Sequence, residues 1–488
     1  MRSNTGSTLA VASAATFLTL VSFTTPLATL PATADALGSG PEGQAWILSS
    51  MSVGLGVALL SSGAVADDLG RRRALVLGSA VLAISSVLCA LAPTTAVLVG
   101  GRIGAGIGGA ALIAASLGLI GHTFPAGSPE ARRASGFWAA ALGAGIAVGP
   151  LLATGAQLVT NWSASYWLEA VLAVALGCAA RLLLDESRAA APRPLDIPGV
   201  LLLAAGTGVL LTGLVEARSG LTKPLTLILV PAGLLLLGLW LVVEHRRAAP
   251  MIDPELFRSP AFLAATLGAF TNGIGVIAST SFLFTVISRG LGRSEVTGAV
   301  VLLTWSVTGT VTSLLARRLP SSMSGRIQLS AGLVVVAAGQ LMLLGASPDS
   351  SPWRYAPGLI VAGISAGVIN SVLGREAVAS VPAQRAAMGS GANNTARYVG
   401  SAIGTTIVAL VATRPGLPAG PTGLIRGFDS AVLVATAFSL LGALAIFACR
   451  PRRPVTTVDR GPVTTVSHDR PGGTTGEPDS PPPADIAP

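Results

Sequence analysis

Apolar runs of about twenty residues or more alternate with short polar loops along nearly the whole chain. They cover roughly 9–32, 45–66, 74–92, 95–120, 135–158, 165–184, 198–216, 224–244, 260–288, 295–315, 327–346, 357–377, 387–412 and 427–449. A bilayer core takes about 20 apolar residues as a helix, so the pattern predicts fourteen membrane-spanning helices. Period-two alternation is absent, which argues against a membrane barrel. The first run is followed by "PATADA", an Ala32-x-Ala34 cleavage pattern, but it is long for a signal sequence and only Arg2 precedes it. A retained first helix is expected.

Composition agrees. The 488 residues are 11% charged and 51% hydrophobic, with a mean hydropathy of +0.70. Soluble domains run at about 25% charged, and a soluble chain of this length could not cover its surface with so few charges. The net charge is +9, yet the basic residues are dispersed in short loops rather than gathered on a patch. That argues against a nucleic-acid partner. All basic residues but Lys223 are arginines, a bias towards GC-rich codons of the actinobacterial kind. Cys89, Cys178 and Cys449 fall in apolar stretches, so no disulfide framework is expected.

Charge sets the expected orientation. With the N-terminus inside, the N-terminus, the even-numbered loops and the C-terminal tail hold 22 of the 31 basic residues, the odd-numbered loops hold 7, and Arg102 and Arg397 lie within runs. Both termini are therefore expected in the cytoplasm. Residues 450–488 are rich in Pro, Thr, Gly and Asp, and repeat "PVTTV" at 454–458 and 462–466. They read as a disordered cytoplasmic tail.

One loop concentrates charge. "GAVADDLGRRRAL", Gly63 to Leu75, packs two acids and three arginines between the second and third runs. A positive-inside anchor would need only Arg71 to Arg73 and does not explain Asp67, Gly63 or Gly70. The stretch resembles the G-x-(L/V)-A-D-(R/K)-x-G-(R/K)-(R/K) signature of the major facilitator superfamily. Gly63, Val65, Ala66, Asp67, Gly70, Arg71 and Arg72 match it, and Asp68 stands where the family has a base. The resemblance implies a cytoplasmic latch in which Asp67 faces the start of the thirteenth run. Loss of the base at Asp68 is expected to weaken it.

Two further runs carry the resemblance. "LVGGRIGAGIGGAAL" in the fourth resembles the R-x-x-x-G-x-G-x-A signature through Arg102, Gly106 and Gly108. "GFWAAALGAGIAVGPLLATG" in the fifth resembles the antiporter signature through Gly136, Gly145, Gly149 and Pro150, with Ala153 and Thr154 in place of its last two glycines. Within the superfamily that signature is associated with export. Gly145-xxx-Gly149 offers a smooth face for close helix approach, and Pro150 removes a backbone hydrogen bond.

Fourteen runs, "VVEHRRAAPMIDPELFRSPAF" at 242–262 and "MGSGANNTARYVGSAIG" at 388–404 resemble the fourteen-helix drug:proton antiporter branch, of the actinobacterial multidrug or antibiotic exporter type. The implied fold is an all-α polytopic membrane protein. Residues 1–184 form an N-terminal six-helix bundle, and 185–259 a central linker with two inserted helices (198–216 and 224–244). Residues 260–449 form a C-terminal six-helix bundle, and 450–488 the tail. "RRLPSSMSGR", 317–326, stands where the second bundle would repeat the charged loop, without its acid.

The resemblance also exposes a departure. The branch carries an aspartate in its first helix, and aligning on Pro31 places Ser22 there, within "VSFTTPLATLP". Glu169 is the acid well placed inside a run to substitute. Its expected partner is Arg102, and their interaction is expected to switch with protonation and substrate; an interfacial, solvated Glu169 is the other reading. Arg397 falls near mid-membrane, with Asn393 and Asn394 on a neighbouring face. It could face the substrate cavity, attract an anionic group, or pair with a carbonyl.

Several formal motifs fail on context. Gly104-x-Gly106-x-x-Gly109 has no preceding strand, and Gly363-x-Ser365-x-Gly367 has no strand–turn–helix setting. His122, His245 and His468 fall in loops or the tail, no metal-ligand spacing appears, and Lys223 follows Thr222, so no Walker A motif exists. No enzyme, cofactor, metal or ATP is expected. The reading is a monomeric secondary exporter of small amphipathic or antibiotic-like molecules coupled to protons. Its rivals are a proton-independent or importing carrier of a small metabolite, and a non-transporting membrane sensor.

Overall fold

The computed structural model describes residues 5–189, 196–218, 220–247, 254–319 and 323–450, with the side chains of 41, 254, 255 and 295 left aside. The proposed tail thus lies outside the described residues, as do parts of the 242–262 and 317–326 loops. The described residues are helical, with no strand among them. In order they are α1 (Thr5–Thr24), α2 (Pro26–Leu37), α3 (Pro41–Leu69), α4 (Arg71–Ala90), α5 (Thr95–Thr123), α6 (Pro129–Val159), α7 (Ala164–Leu183) and α8 (Ile197–Ala217). There follow α9 (Pro224–His245), α10 (Pro260–Thr271), α11 (Ala278–Thr285), α12 (Glu295–Leu315), α13 (Gly325–Leu341), α14 (Ala356–Ala379), α15 (Ala386–Ala412) and α16 (Pro421–Ala448).

Local chemistry explains the starts. Ser128 and Ser259 each accept from the amide three residues on, and each is followed by proline at the first helical position, where no N–H is needed. Asp196 caps α8 through the Gly199 amide in the same way. Thr94 caps α5.

Thirteen helices among the described residues are long and apolar enough to cross a membrane, and Gly325–Leu341 is a shorter apolar helix. The predicted first run is two helices rather than one. Pro26 lacks an N–H, and the chain bends over at Thr25–Pro26 while Thr25 still bonds back to Val21. The predicted ninth run is interrupted too. α10 passes into a π-helical stretch, Asn272–Ile277, before α11, and a second one, Val286–Gly290, follows. Gln340 of α13 donates to the Gly275 carbonyl within the first stretch at 3.0 Å, satisfying a group that the wider turn displaces.

The largest apolar core joins α1 and α3–α7 around Leu55, Leu75, Leu112 and Trp138, with Ala387 and Tyr398 of α15 reaching into it. Two further cores, around Leu333 and Ile369 and around Tyr355 and Phe428, belong to α10–α16. α8 and α9 pack on each other, α8 lies along α3 and α15, and Trp240 of α9 joins an apolar cluster with Leu60 of α3 and Met388 of α15. Its end is pinned there: Trp46 donates to Glu216 at 2.8 Å, and Arg218 donates to Ser49 of α3 at 3.1 Å and Thr405 of α15 at 2.7 Å. α9 leaves Leu227, Ile228, Leu234, Leu235 and Leu241 exposed, a surface that calls for an apolar medium.

Candidate functional site

The charged loop is a one-residue turn. α3 stops at Leu69, α4 starts at Arg71, and Gly70 between them has φ +119°. A Cβ there would also meet the Glu186 carboxylate, 2.4 Å from its Oε1. Glu186 belongs to the segment after α7 and accepts from the Arg72 amide at 3.1 Å, at the N-terminal end of α4. A carboxylate is favoured at such an end by about 0.3–1 kcal/mol. Two backbone bonds, Ala189 to Asp67 and Arg71 to Ser187, complete the wrap. Arg72 also donates to the Leu184 carbonyl.

Asp67 is fully buried and receives four N–H donors. Arg71 contributes Nε at 3.0 Å and Nη2 at 2.6 Å, and the Ala387 and Met388 amides lie at 3.2 and 2.8 Å. Those amides belong to the first turn of α15, where backbone N–H groups have no partner within the helix. One carboxylate therefore neutralises an arginine and caps a helix from the far half of the chain. Arg71 returns the contact through the Gln384 carbonyl at 3.0 Å. Gly63, one turn earlier, lets α3 approach α15: a Cβ there would lie 2.3 Å from the Ala387 carbonyl oxygen.

Asp68, which stands where the family has a base, has a partner across this junction. It forms an ion pair with Arg385 at 2.8 Å, both side chains being mostly buried. The family's base is replaced by an acid, and its charge is met by a base on the opposite side.

A second cluster sits at the bend between α1 and α2. Glu169 of α7 is buried, 2% exposed, so the interfacial reading fails. Ser22 donates to its Oε2 at 2.7 Å, and Thr25 donates to its Oε1. Arg102 of α5 is equally buried but makes no bond to Glu169. It donates to three backbone carbonyls: Ile47 at 3.0 Å, Ser22 at 3.2 Å and Phe23 at 3.4 Å. The expected direct pair is thus replaced by a relay. Ser22 presents its hydroxyl to the acid and its carbonyl to the base, and that carbonyl is left free because Pro26, four residues on, has no N–H to offer.

The fifth-run glycines pack against the same stretch. A Cβ on Gly145 would lie 2.6 Å from the Phe17 carbonyl oxygen, and one on Gly149 would lie 2.1 Å from Thr24 Oγ1. Gly136 faces the other way, towards the Ser313 carbonyl of α12. Pro150 lies inside α6, which continues to Val159. α6 therefore abuts the hydroxyl-bearing turn of α1 with one face and the second half of the chain with another.

The thirteenth-run residues separate. Asn393 donates to the Ala265 carbonyl of α10 and Asn394 to Ser390 of its own helix, each at 3.0 Å. Each thus commits one of its two amide N–H groups to backbone. Arg397 is 4% exposed, and its Nε and Nη2 have no hydrogen-bond partner. Beside it Tyr398 meets Phe23 of α1 edge-on, centroids 6.2 Å apart.

Sequence reasoning passed over Ser22 and Thr25 as ligands of Glu169, Glu186 under the turn, Arg385 opposite Asp68, and Arg218 at the end of α8. The hydroxyl-rich "SFTTP" before a proline was the one available signal for the first pair.

Comparison with known proteins fits this geometry. The chain is 31% identical over 393 residues to the multidrug resistance protein Stp of Mycobacterium tuberculosis, covering 78% of this chain and 71% of that one. It is 30% identical over 434 residues to the multidrug efflux pump LfrA of Mycolicibacterium smegmatis, covering 88% and 84%. The fold superposes on the human organic anion transporter MFSD10 with a TM-score of 0.68 at 16% identity, covering 91% of this chain and 99% of that one. Residues 12–405 match the profile of the Major Facilitator Superfamily, and the chain belongs to that family as an all-helical, multi-pass membrane protein.

Proposed function

We propose that this protein exports small amphipathic drugs or antibiotics across the cytoplasmic membrane, by proton antiport with alternating access. The observation that carries the reading is Glu169, a carboxylate buried among hydroxyls at the bend of α1. It stands in for the acid that the antiporter branch keeps on its first helix and this chain replaces with Ser22. A proton on Glu169 removes the charge that Ser22 and Thr25 address, and the bend is then free to move against α6 and α15.

In this reading α13 counts as a fourteenth span, both termini are cytoplasmic, and two six-helix bundles rock about a midplane site with α8 and α9 between them. Asp67, Arg71, Asp68 and Arg385 then close the cytoplasmic side, so the conformation described here opens outward. The multidrug resistance and efflux relatives support export rather than uptake. The protein acts as a monomer, without ATP, a cofactor or catalysis.

Everted vesicles energised with a proton gradient and a pH-reporting dye test this. A panel of antibiotics and lipophilic cations is added one at a time. Some compounds are expected to collapse the gradient, and Glu169→Gln is expected to abolish that response. An undiminished response in Glu169→Gln would remove the proton role. The second reading, an uncoupled or importing carrier, draws on Ser22 at the usual acid position; it predicts no collapse by any compound.

A further inference from the structure

Arg397 is a buried charge on α15 that no acid neutralises among the described residues. Its guanidinium carries five N–H donors in a planar fork, and Nε and Nη2 have no acceptor. No ion pair reaches it among the described residues, whereas Arg375 and Arg385 on the same half both have one. The nearby amides of Asn393 and Asn394 each point one N–H at a carbonyl. Two acids of this half are engaged elsewhere: Glu376 with Arg375, and Asp429 with the Gly345 amide. Glu169, the buried acid of the other half, is held by Ser22 and Thr25.

Position matters as much as the missing partner. Ser390, two turns before Arg397 on the same face of α15, reaches towards the Ile113 carbonyl of α5 at 3.5 Å. Tyr398, the next residue, touches Phe23 of α1. On the opposite side, the π-helical stretch of α10 approaches Arg397 so closely that a Cβ on Gly273 would lie 2.1 Å from the Arg397 carbonyl oxygen. π-helical turns recur at functional sites. Arg397 thus stands on a stretch of α15 packed against both halves of the chain, on the face that Ser390 turns to α5.

We propose that the transported molecule is an organic anion, a carboxylate or acidic phenol on an apolar ring system, held by the Arg397 guanidinium. This rests on the export reading above. An arginine at membrane depth is costly without a partner, and a carboxylate matched to its fork makes two parallel charge-assisted bonds. The substrate itself supplies the missing charge. A neutral cargo leaves the arginine as it is, and a cationic one is repelled.

The experiment uses the purified full chain with anthraquinone-2-carboxylate, its carboxamide of the same shape, and ethidium as a cation. Binding is read by tryptophan fluorescence and flux in proteoliposomes. The carboxylate is expected to bind about tenfold or more tightly than the carboxamide, Arg397→Gln to erase that ratio, and Arg397→Lys to retain part of it. Absent carboxylate binding, equal binding of the amide or of ethidium, or an unchanged ratio in Arg397→Gln would overturn the proposal. The wild-type ratio reads without any variant, so poor folding of one does not block the answer. Ethidium efflux without carboxylate recognition would leave export standing and remove the anion site. Carboxylate-selective binding without flux of any compound would do the reverse.

Discussion

Arg102 and Arg397 sit on different halves of the chain, each inside an apolar helix and each almost fully buried. Around Arg102 the fold spends three backbone carbonyls, those of Ile47, Ser22 and Phe23, of which Ser22's lacks a helical donor because Pro26 has no N–H. Around Arg397 it spends none on Nε or Nη2. The first half has built its counter-charge into the scaffold, with Glu169 one serine away, and the second half has left its charge for something else. A buried arginine is therefore not by itself a binding group. The carbonyls beside it decide whether it is a strut or a receptor.

The strongest way to break this comparison is to remove each arginine in turn. Three bonds to Arg102, each worth about 1.5–3 kcal/mol, outweigh the insertion cost of about 2.5–3.5 kcal/mol. Arg102→Gln is expected to lose about 3 kcal/mol of stability by this arithmetic and to lower the thermal unfolding temperature in detergent. Arg397→Gln is expected to leave that temperature unchanged or raise it, since an unpaired charge is removed. Equal losses in both variants would mean that Arg397 also has structural partners.

The next test asks whether Glu169 is a working acid or only a hydrogen-bond acceptor. In Glu169→Gln the amide oxygen still accepts from Ser22 or Thr25, so folding should change by under about 1 kcal/mol. Proton-coupled transport should nevertheless fall at least tenfold by dye-reported gradient collapse. Glu169→Asp keeps the charge but shortens the reach to both hydroxyls, and intermediate coupling is expected. Retained coupling in Glu169→Gln, with Ser22→Ala alone disrupting it, would shift the role to the α1 bend.

Much of the scaffold was legible because bilayer thickness imposes one length on every apolar run, and because Ser-Pro and Thr caps mark the helix starts. What was not legible depends on side chains meeting across the fold. Glu169 and Arg102 were both visible as buried charges, but nothing in their spacing says that Ser22 stands between them. Asp68 looked like a lost base because its partner, Arg385, lies 317 residues away. For Asn393 and Asn394, an apolar helix gives no sign of which neighbouring carbonyl an amide will find. The π-helical stretch at Asn272–Ile277 has two glycines but no other warning.

A smaller effect is expected at the latch, the one place where the two halves share their charges. Asp67→Asn loses the carboxylate that Arg71 and two α15 amides share, leaving Arg71 with the carbonyls of Ala383 and Gln384. The helix-end contribution alone is about 0.3–1 kcal/mol, up to about 2 where partly buried. That tilts the alternating-access equilibrium by several-fold towards the state open at the latch. Distances between spin labels on the ends of α3 and α15 would read it as a new, longer population, and an unchanged distribution would remove the gating role.

The smallest expected effect separates the two parts of that latch. Asp68 and Arg385 form an ion pair, 12% exposed on each side, and partly exposed pairs are worth about 0.2–1 kcal/mol. Asp68→Arg places like charges opposite one another and should open the latch by less than Asp67→Asn does. Swapping both, Asp68→Arg with Arg385→Asp, restores the pair with its direction reversed and should recover the parental distance distribution. Recovery would establish that this chain keeps the latch by moving the base to the other half of the molecule. If the double swap stays as open as Asp68→Arg, the pair is incidental, and the junction rests on Asp67 and the first turn of α15 alone.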